Sequence, residues 1–142
     1  MRILVVDIVT PEQRSFMMKG IRGRDTRPEL AVRSYLHRTG LRFKLNDRTL
    51  AGSPDLVLPK FKCVVFVNGC FWHRHPGCLF ATTPATRSEF WQAKFAANVA
   101  RDRRVHEELR RKGWRPLVIW ECDIAHPENL DQLFWQIVAS EP

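Results

Sequence analysis

The sequence predicts one α/β domain with a mixed β-sheet and helices packed against it, and three observations carry that prediction. Short apolar runs at 55–59, 63–67 and 117–120 have the length and β-branched content of buried strands. Residues 86–112, between the second and third runs, carry a helical pattern bounded by a capping signal and a glycine. The order is helices, hairpin, helix, strand, helix, without repeats or a Pro/Gly linker, which suits a layered sandwich. At 142 residues the chain has the size of one ordinary domain. It reads as a single unit over 1–142, with 1–13 a flexible or accessory segment.

Each element has a local reason. A first helix can begin near Pro11 and run to Lys19 or Gly20. Asp25 and Thr26 can cap a second, with Pro28 in its first turn, Leu30, Tyr35 and Leu36 on a buried side, and Gly40 at its end. The runs 55–59 and 63–67 flank a turn at 59–62 and should pair antiparallel. Thr86 and Glu89 form a Thr-x-x-Glu capping box for a long helix that ends at Lys112, with Gly113 as its stop. Residues 117–120 form a third strand, and Pro127 opens a final helix through about Ala139.

Hydrophobic residues are 44% and charged residues 27%, the balance of a soluble globular protein. The longest early apolar run, 3–6, is too short for a signal-peptide core or a membrane span, so a cytoplasmic protein is expected. The four cysteines then read as thiols or metal ligands before disulfides. Lys plus Arg total 23 against 15 acids, a net charge of +8. Ten bases and three acids between residues 14 and 48 give +7, and nine bases and four acids between 87 and 115 give +5. From 121 onward there are five acids and no base. Two basic blocks and an acidic tail suggest one positive face and a polyanionic partner.

Four groups of residues need a chemical explanation. Asp55 follows Pro54 at a strand start and is the only acid between Asp47 and Glu89. A carboxylate at the rim of a core needs a cation or donors, and Mg²⁺ takes such oxygens. A cap or turn aspartate is the simpler reading of a lone Pro-Asp pair. The second group is the segment 70–78, with two cysteines and two histidines in nine residues. His75-x-x-Cys78 can grip one zinc, and Cys122 after the third strand is a natural third ligand. Cys63, Cys70, His73 and His106 are all open as a fourth. Third, Trp91, Phe95, Asn98, Asp102, Val105 and Leu109 share one side of the long helix, which sets Asp102 in an apolar stripe. Zinc would compensate it, and so would pairing with Arg101, Arg103 or His106. Last, Phe71-Trp72 and Phe90-Trp91 stand beside basic residues, where aromatic wedges can pry a duplex open; core packing is the plainer account of any one ring.

These residues also carry a resemblance. Asn68-Gly69-Cys70-Phe71-Trp72-His73, Pro84-Ala85-Thr86-Arg87-Ser88-Glu89-Phe90-Trp91, Asn98 through Arg104, and Gly113-Trp114 through Cys122 resemble the very-short-patch mismatch repair (Vsr) endonucleases in long motifs and in order. The resemblance spans roughly residues 14 to 122. It implies a restriction-endonuclease-like fold and an Mg²⁺-dependent, strand-specific endonuclease. Such an enzyme nicks DNA on the 5′ side of a thymine mispaired with guanine, the lesion left when 5-methylcytosine deaminates. Its partners would be T:G-mismatched duplex and, functionally, a cytosine-5 methyltransferase; no membrane is implied, and a monomer is expected.

Carried onto this chain, the resemblance makes Asp55 the magnesium ligand, His73 the general base and Glu29 an acid that supports the histidine. It makes His75, Cys78, Asp102 and Cys122 the ligands of a structural Zn²⁺. Phe71, Trp72 and Trp91 become rings inserted beside the mispair, Met18 a residue entering from the minor groove, and Lys94 and Asn98 a mispair-reading pair. Three positions depart from the family pattern. Val67 stands where a threonine supplies a magnesium-binding carbonyl, and a carbonyl survives that swap. Asn68 replaces a frequent second histidine. Two residues, Pro76 and Gly77, separate the zinc histidine and cysteine where one is familiar. A zinc-stabilised module that binds distorted DNA without cutting it is the alternative reading. Asp55 retained with His73 favours the enzyme, and the Phe71-Trp72 wedge disfavours a restriction nuclease.

Overall fold

The computed structural model describes residues 26–139. The helix expected near Pro11, the segment 1–13 and Met18 lie outside them. The first described helix, α1, spans Arg27–Arg38. Thr26 caps it by accepting the Glu29 N–H, and Pro28 sits in its first turn. It ends at Gly40 (φ 99°), where Leu41 N–H reaches the Leu36 carbonyl and Gly40 N–H the His37 carbonyl. That pair of bonds is a Schellman closure, and its left-handed position suits glycine.

Four strands follow the order β1 (Lys44–Leu45), β2 (Leu56–Leu58), β3 (Cys63–Asn68) and β4 (Arg115–Trp120), and they lie side by side in that order. The β2–β3 pair is antiparallel, as its short connection requires, and a 3₁₀ turn at Pro59–Phe61 joins it. The β3–β4 pair is parallel, with Asn68 opposite Trp120, so the sheet is mixed as expected. The sequence did not betray β1. It is two exposed residues, too short to show a period, and it exists because it pairs with β2.

The crossover from β3 to β4 carries the long helix α2, Ser88–Arg111. The expected Thr86–Glu89 capping box does not form. The chain enters the helix through Arg87 in a left-handed conformation (φ 58°) with no side-chain cap, so Thr86 stands one residue too far out to cap it. The C-terminal stop at Gly113 (φ 92°) does form, with Trp114 N–H on the Leu109 carbonyl and Gly113 N–H on Arg110. A 3₁₀ turn over Glu121–Ala125 and helix α3, Pro127–Val138, complete the described chain.

Alternation along the strands builds two layers of core. On one face Leu56, Leu58, Cys63, Val65 and Ile119 meet Val32 and Leu36 of α1 and Leu130, Leu133 and Ile137 of α3. On the other, Val57 and Val64 meet Leu109 of α2, with Phe66, Val105 and Trp114 packed around them. Helices on both faces of the sheet give the α/β fold that the element order predicts. Among the described residues no helix is long and apolar enough to cross a membrane.

Candidate active site and metal centre

Where β2 begins and β3 ends, backbone geometry creates an oxygen-rich corner. Asp55 directly precedes β2, and its carboxylate Oδ2 accepts the Val67 N–H at 2.7 Å. The β2–β3 register, Leu56 opposite Val65, continues to Pro54 opposite Val67. Proline has no N–H, so it offers nothing to the Val67 carbonyl, which points to the same side as the Val67 N–H. Glu29, in the first turn of α1 and only 7% exposed, lies in hydrogen-bonding contact with Asp55. Burial, reinforced by the Glu29 carboxyl, raises the Asp55 pKa from 3.8 to about 6 against the lowering effect of the Val67 N–H and of His73. Two carboxyls and a carbonyl without a strand donor fit a hard cation such as Mg²⁺, whose charge would reverse that shift.

His73 sits in the turns that follow β3, and its Nδ1 lies 2.6 Å from the Asp102 carboxylate Oδ2 on α2. One helical turn earlier, Asn98 donates its amide to the Trp72 carbonyl at 3.2 Å. Adjacent rungs of one helix face therefore hold adjacent residues of the loop. A carboxylate on Nδ1 selects the tautomer that leaves Nε2 free to accept a proton.

The ligand set expected from the resemblance is distributed differently in this structure. The Asp102 carboxylate Oδ2 lies against His73, and Cys70 stands with His75, Cys78 and Cys122 in a group whose ligand atoms all lie within 4.8 Å of one another. The physical reason is the parallel register. With Asn68 opposite Trp120, Cys70 and Cys122 each fall two residues beyond neighbouring strand ends. Glu121 fixes the first by accepting the Cys70 N–H at 3.0 Å. His75 Nδ1 lies 3.7 Å from Cys70 Sγ and 3.3 Å from Cys122 Sγ, and the imidazole stacks on Trp120 at 4.3 Å and 12°.

A tetrahedral zinc with Zn–S ~2.3 Å and Zn–N ~2.0–2.1 Å separates sulfur from nitrogen by roughly 3.6 Å. The two observed separations straddle that figure, so the group could hold such a metal with small adjustments. The extra residue between His75 and Cys78 is absorbed in a turn closed by Cys78 N–H on the His75 carbonyl, with Gly77 at φ 69°. Burial pushes the Cys70 and Cys122 thiols up, a cost that coordination as thiolates removes. The two other residues open as a fourth ligand stand elsewhere: Cys63 is in the core and His106 packs on Phe66 at 5.1 Å.

The aromatic residues gather in one cluster beside the histidine. Phe71 meets Trp72 at 4.9 Å, Phe95 at 5.1 Å and Trp91 at 5.7 Å, and Trp72 lies 5.9 Å from Trp91. Trp91 is only 5% exposed and reads as the floor of the cluster, whereas Phe71 and Trp72 are half-buried. The Trp72 indole N–H is buried without a hydrogen-bond partner. Lys94 is exposed on α2. Sequence reasoning gave no role to Arg74 or Glu121, because each acts on backbone groups that no spacing rule reveals.

Taken together, the half-buried Asp55 beside the buried Glu29, an imidazole held by a third carboxylate and a separate thiol–imidazole cluster form a donor set that suits a metal-assisted hydrolase. The sequence model of the family DNA mismatch endonuclease Vsr matches residues 6–78. The chain is 45% identical over 121 residues to the type II nicking enzyme V.XorIIP of Xanthomonas oryzae pv. oryzae, covering 85% of this chain and 88% of that one. It is 43% identical over 126 residues to the DNA mismatch endonuclease Vsr of Escherichia coli (strain K12), covering 89% and 80%. To the type II nicking enzyme V.NmeAIP of Neisseria meningitidis it is 38% identical over 137 residues, covering 94% and 97%. The chain belongs to the Vsr family of DNA mismatch endonucleases, and its α/β fold is the restriction-endonuclease-like one expected of that family.

Proposed function

We propose that this protein, acting as a single-domain monomer, nicks one strand of duplex DNA on the 5′ side of a thymine mispaired with guanine, and that Mg²⁺ is required. The observation that carries the reading is the corner where Asp55, anchored to the Val67 N–H, meets Glu29 beside the His73–Asp102 pair. Asp55 and the Val67 carbonyl would hold the Mg²⁺, with Glu29 supporting the site. Bound there, Mg²⁺ would acidify water and stabilise charge building on the phosphate. The His73 Nε2 accepts the proton of the attacking water, and Asp102 holds the ring in the tautomer that makes this possible. Phe71 and Trp72 would enter the stack beside the mispair over Trp91, where unstacking costs least, and Met18 would approach from the minor groove. Lys94 and Asn98 would face the mispair, Asn98 having also to hold Trp72.

The Cys70, His75, Cys78 and Cys122 group is assigned to a structural Zn²⁺ that ties the loop after β3 to the end of β4. In the cell the substrate would arise from a cytosine-5 methyltransferase whose product deaminates, which places the enzyme in the cytoplasm at the nucleoid. The test is single-turnover nicking of T:G and matched duplexes with and without Mg²⁺. Mg²⁺-dependent cleavage of the T:G duplex alone is expected. Tight binding to the mismatch with no cleavage under any divalent ion would support the non-cutting DNA-binding module instead.

A further inference from the structure

Arg74 stands between His73, the assigned base, and His75, a member of the thiol–imidazole cluster, and nothing above uses it. It lies outside both basic blocks, and its guanidinium is turned back onto its own loop. One terminal nitrogen (Nη1) donates to the Phe71 carbonyl at 3.2 Å and to the Thr82 carbonyl at 2.9 Å. The other (Nη2) donates to the Ala81 carbonyl at 2.8 Å and to Thr83 Oγ1 at 3.2 Å. The guanidinium carbon lies 3.9 Å from the centre of the Phe95 ring and 5.7 Å from that of Phe71. To reach this position the backbone adopts φ 55°, a left-handed conformation that a non-glycine residue keeps only when its surroundings over-determine it.

We propose that Arg74 is a positioning residue for mismatch discrimination: its fork pins the Phe71 carbonyl to the 81–83 strap and its flat face rests on Phe95, which fixes the Phe71–Trp72 pair at the height from which it enters DNA. This rests on the reading of the site as a mismatch-nicking centre. A positive charge held by three carbonyls and a ring is less free to meet a phosphate, so in this placement Arg74 acts on its own loop rather than as a DNA contact. The chemistry requires arginine. A planar fork can satisfy several carbonyls while stacking on a ring, whereas a lysine ammonium is a point charge that can do neither together. Because His73 is the next residue back, the same tether sets the height of the imidazole that Asp102 steers.

The experiment compares Arg74→Lys and Arg74→Ala with wild type in four readouts. Both variants are expected to retain metal at one per chain. Hydrogen exchange should quicken in amides 71–83 but not along α2. Single-turnover nicking of the T:G duplex should fall on the order of 10²-fold, the cost of displacing a reacting constellation by about 1 Å. Preference for T:G over matched DNA should narrow, while affinity for matched duplex and its salt slope stay as in wild type. Free guanidinium ion should restore part of the Arg74→Ala rate, and the same concentration of sodium should not. Equal loss of affinity for both duplexes, with the log–log salt slope reduced by about 0.9, would make Arg74 a phosphate contact and overturn the proposal. Unchanged preference and rate in a metal-loaded, less stable protein would overturn it as well, leaving Arg74 a purely structural clamp. Should neither variant fold, Thr83→Val removes a single bond of the fork and should give the same changes at a few-fold size. The exchange arm needs no DNA. Wild type failing to prefer T:G would therefore count against the functional reading, and unaltered exchange at 71–83 against the tether.

Discussion

Asp55→Asn separates what the active-site corner costs the fold from what it gives the reaction. Asparagine keeps the shape, its Oδ1 can still accept the Val67 N–H, and its amide can donate to Glu29, so what disappears is the charge. Burial raises the Asp55 carboxyl from 3.8 to about 6, a change of roughly two pH units at about 1.4 kcal/mol each. A carboxyl raised in the folded state binds its proton more tightly there than in the unfolded chain. The stability it lends is complete below pH ~4, falls through the interval up to pH ~6, and is gone above. Ionised Asp55 therefore costs the metal-free protein about 3 kcal/mol at pH 8 and roughly half as much at pH 5. Asp55→Asn escapes the cost and should melt about 10 °C higher than wild type at pH 8.

The assay is urea and thermal unfolding of both proteins from pH 5 to pH 8. Buffers hold no Mg²⁺ and no chelator, so the metal of the cysteine cluster stays in place. Because groups distant from Asp55 titrate alike in the two proteins, the difference curve isolates this corner. Adding Mg²⁺ should stabilise wild type and leave Asp55→Asn where it was, closing the gap, by about 2.7 kcal/mol at a hundred times the dissociation constant. Nicking by the variant should be abolished and mismatch binding kept. A stability difference independent of pH, or a wild type more stable than the variant at pH 8, would refute a buried, destabilised carboxylate at this corner.

The other expectations follow from the same contacts. Asp102→Asn should slow nicking on the order of 10²-fold with metal content unchanged, whereas Cys70→Ser should lose the metal; elemental analysis of both variants tells steering carboxylate from ligand, and metal loss from Asp102→Asn would restore the ligand set expected from the resemblance. His73→Ala should leave a slow, Mg²⁺-dependent activity that rises with pH, read by single-turnover nicking from pH 6 to 9, and a rate equal to wild type would remove the base from this position. Trp72→Ala should narrow the preference for T:G over matched duplex in competition binding, and equal loss on both would leave Trp72 a packing residue. Neutralising the exposed Arg101 and Arg104 together should weaken binding to every duplex and flatten the log–log salt slope by up to about 1.8, measured by titration at several salt concentrations.

The contrast between Asp102 and Cys70 shows which parts of such a site a sequence displays. Elements with a local signal were legible. Thr26 and Pro28 mark one helix start, Gly40 and Gly113 two helix stops, and the alternation of Leu56, Val57 and Leu58 a strand buried on both faces. The α2 stripe was legible too, since Trp91, Phe95 and Leu109 are buried where a 100° period puts them. The Thr86–Glu89 box misled because its pattern was present and the backbone entered one residue later. A short motif states a possibility, and the chain's path decides it.

The Cys/His group was legible only in part, for a reason that lies in the sheet. His75 and Cys78 lie within one turn, so spacing alone pairs them. Seeing Cys70 join them requires knowing that β3 and β4 run parallel with Asn68 beside Trp120, a fact about residues 52 positions apart. With that register in hand the meeting of Cys70 and Cys122 follows, because Val67-Asn68-Gly69-Cys70 and Ile119-Trp120-Glu121-Cys122 end adjacent parallel strands with their thiols at matching positions. The Asp102 carboxylate faces the same loop at His73, and Asn98, one turn before it, takes the carbonyl of Trp72. One helix face thus holds Trp72 and His73, while the thiol cluster, anchored on the sheet, holds the far end of the same loop. The two grips meet at residues 71–75, so the proposed wedge and the proposed base lie on one short segment held from both ends.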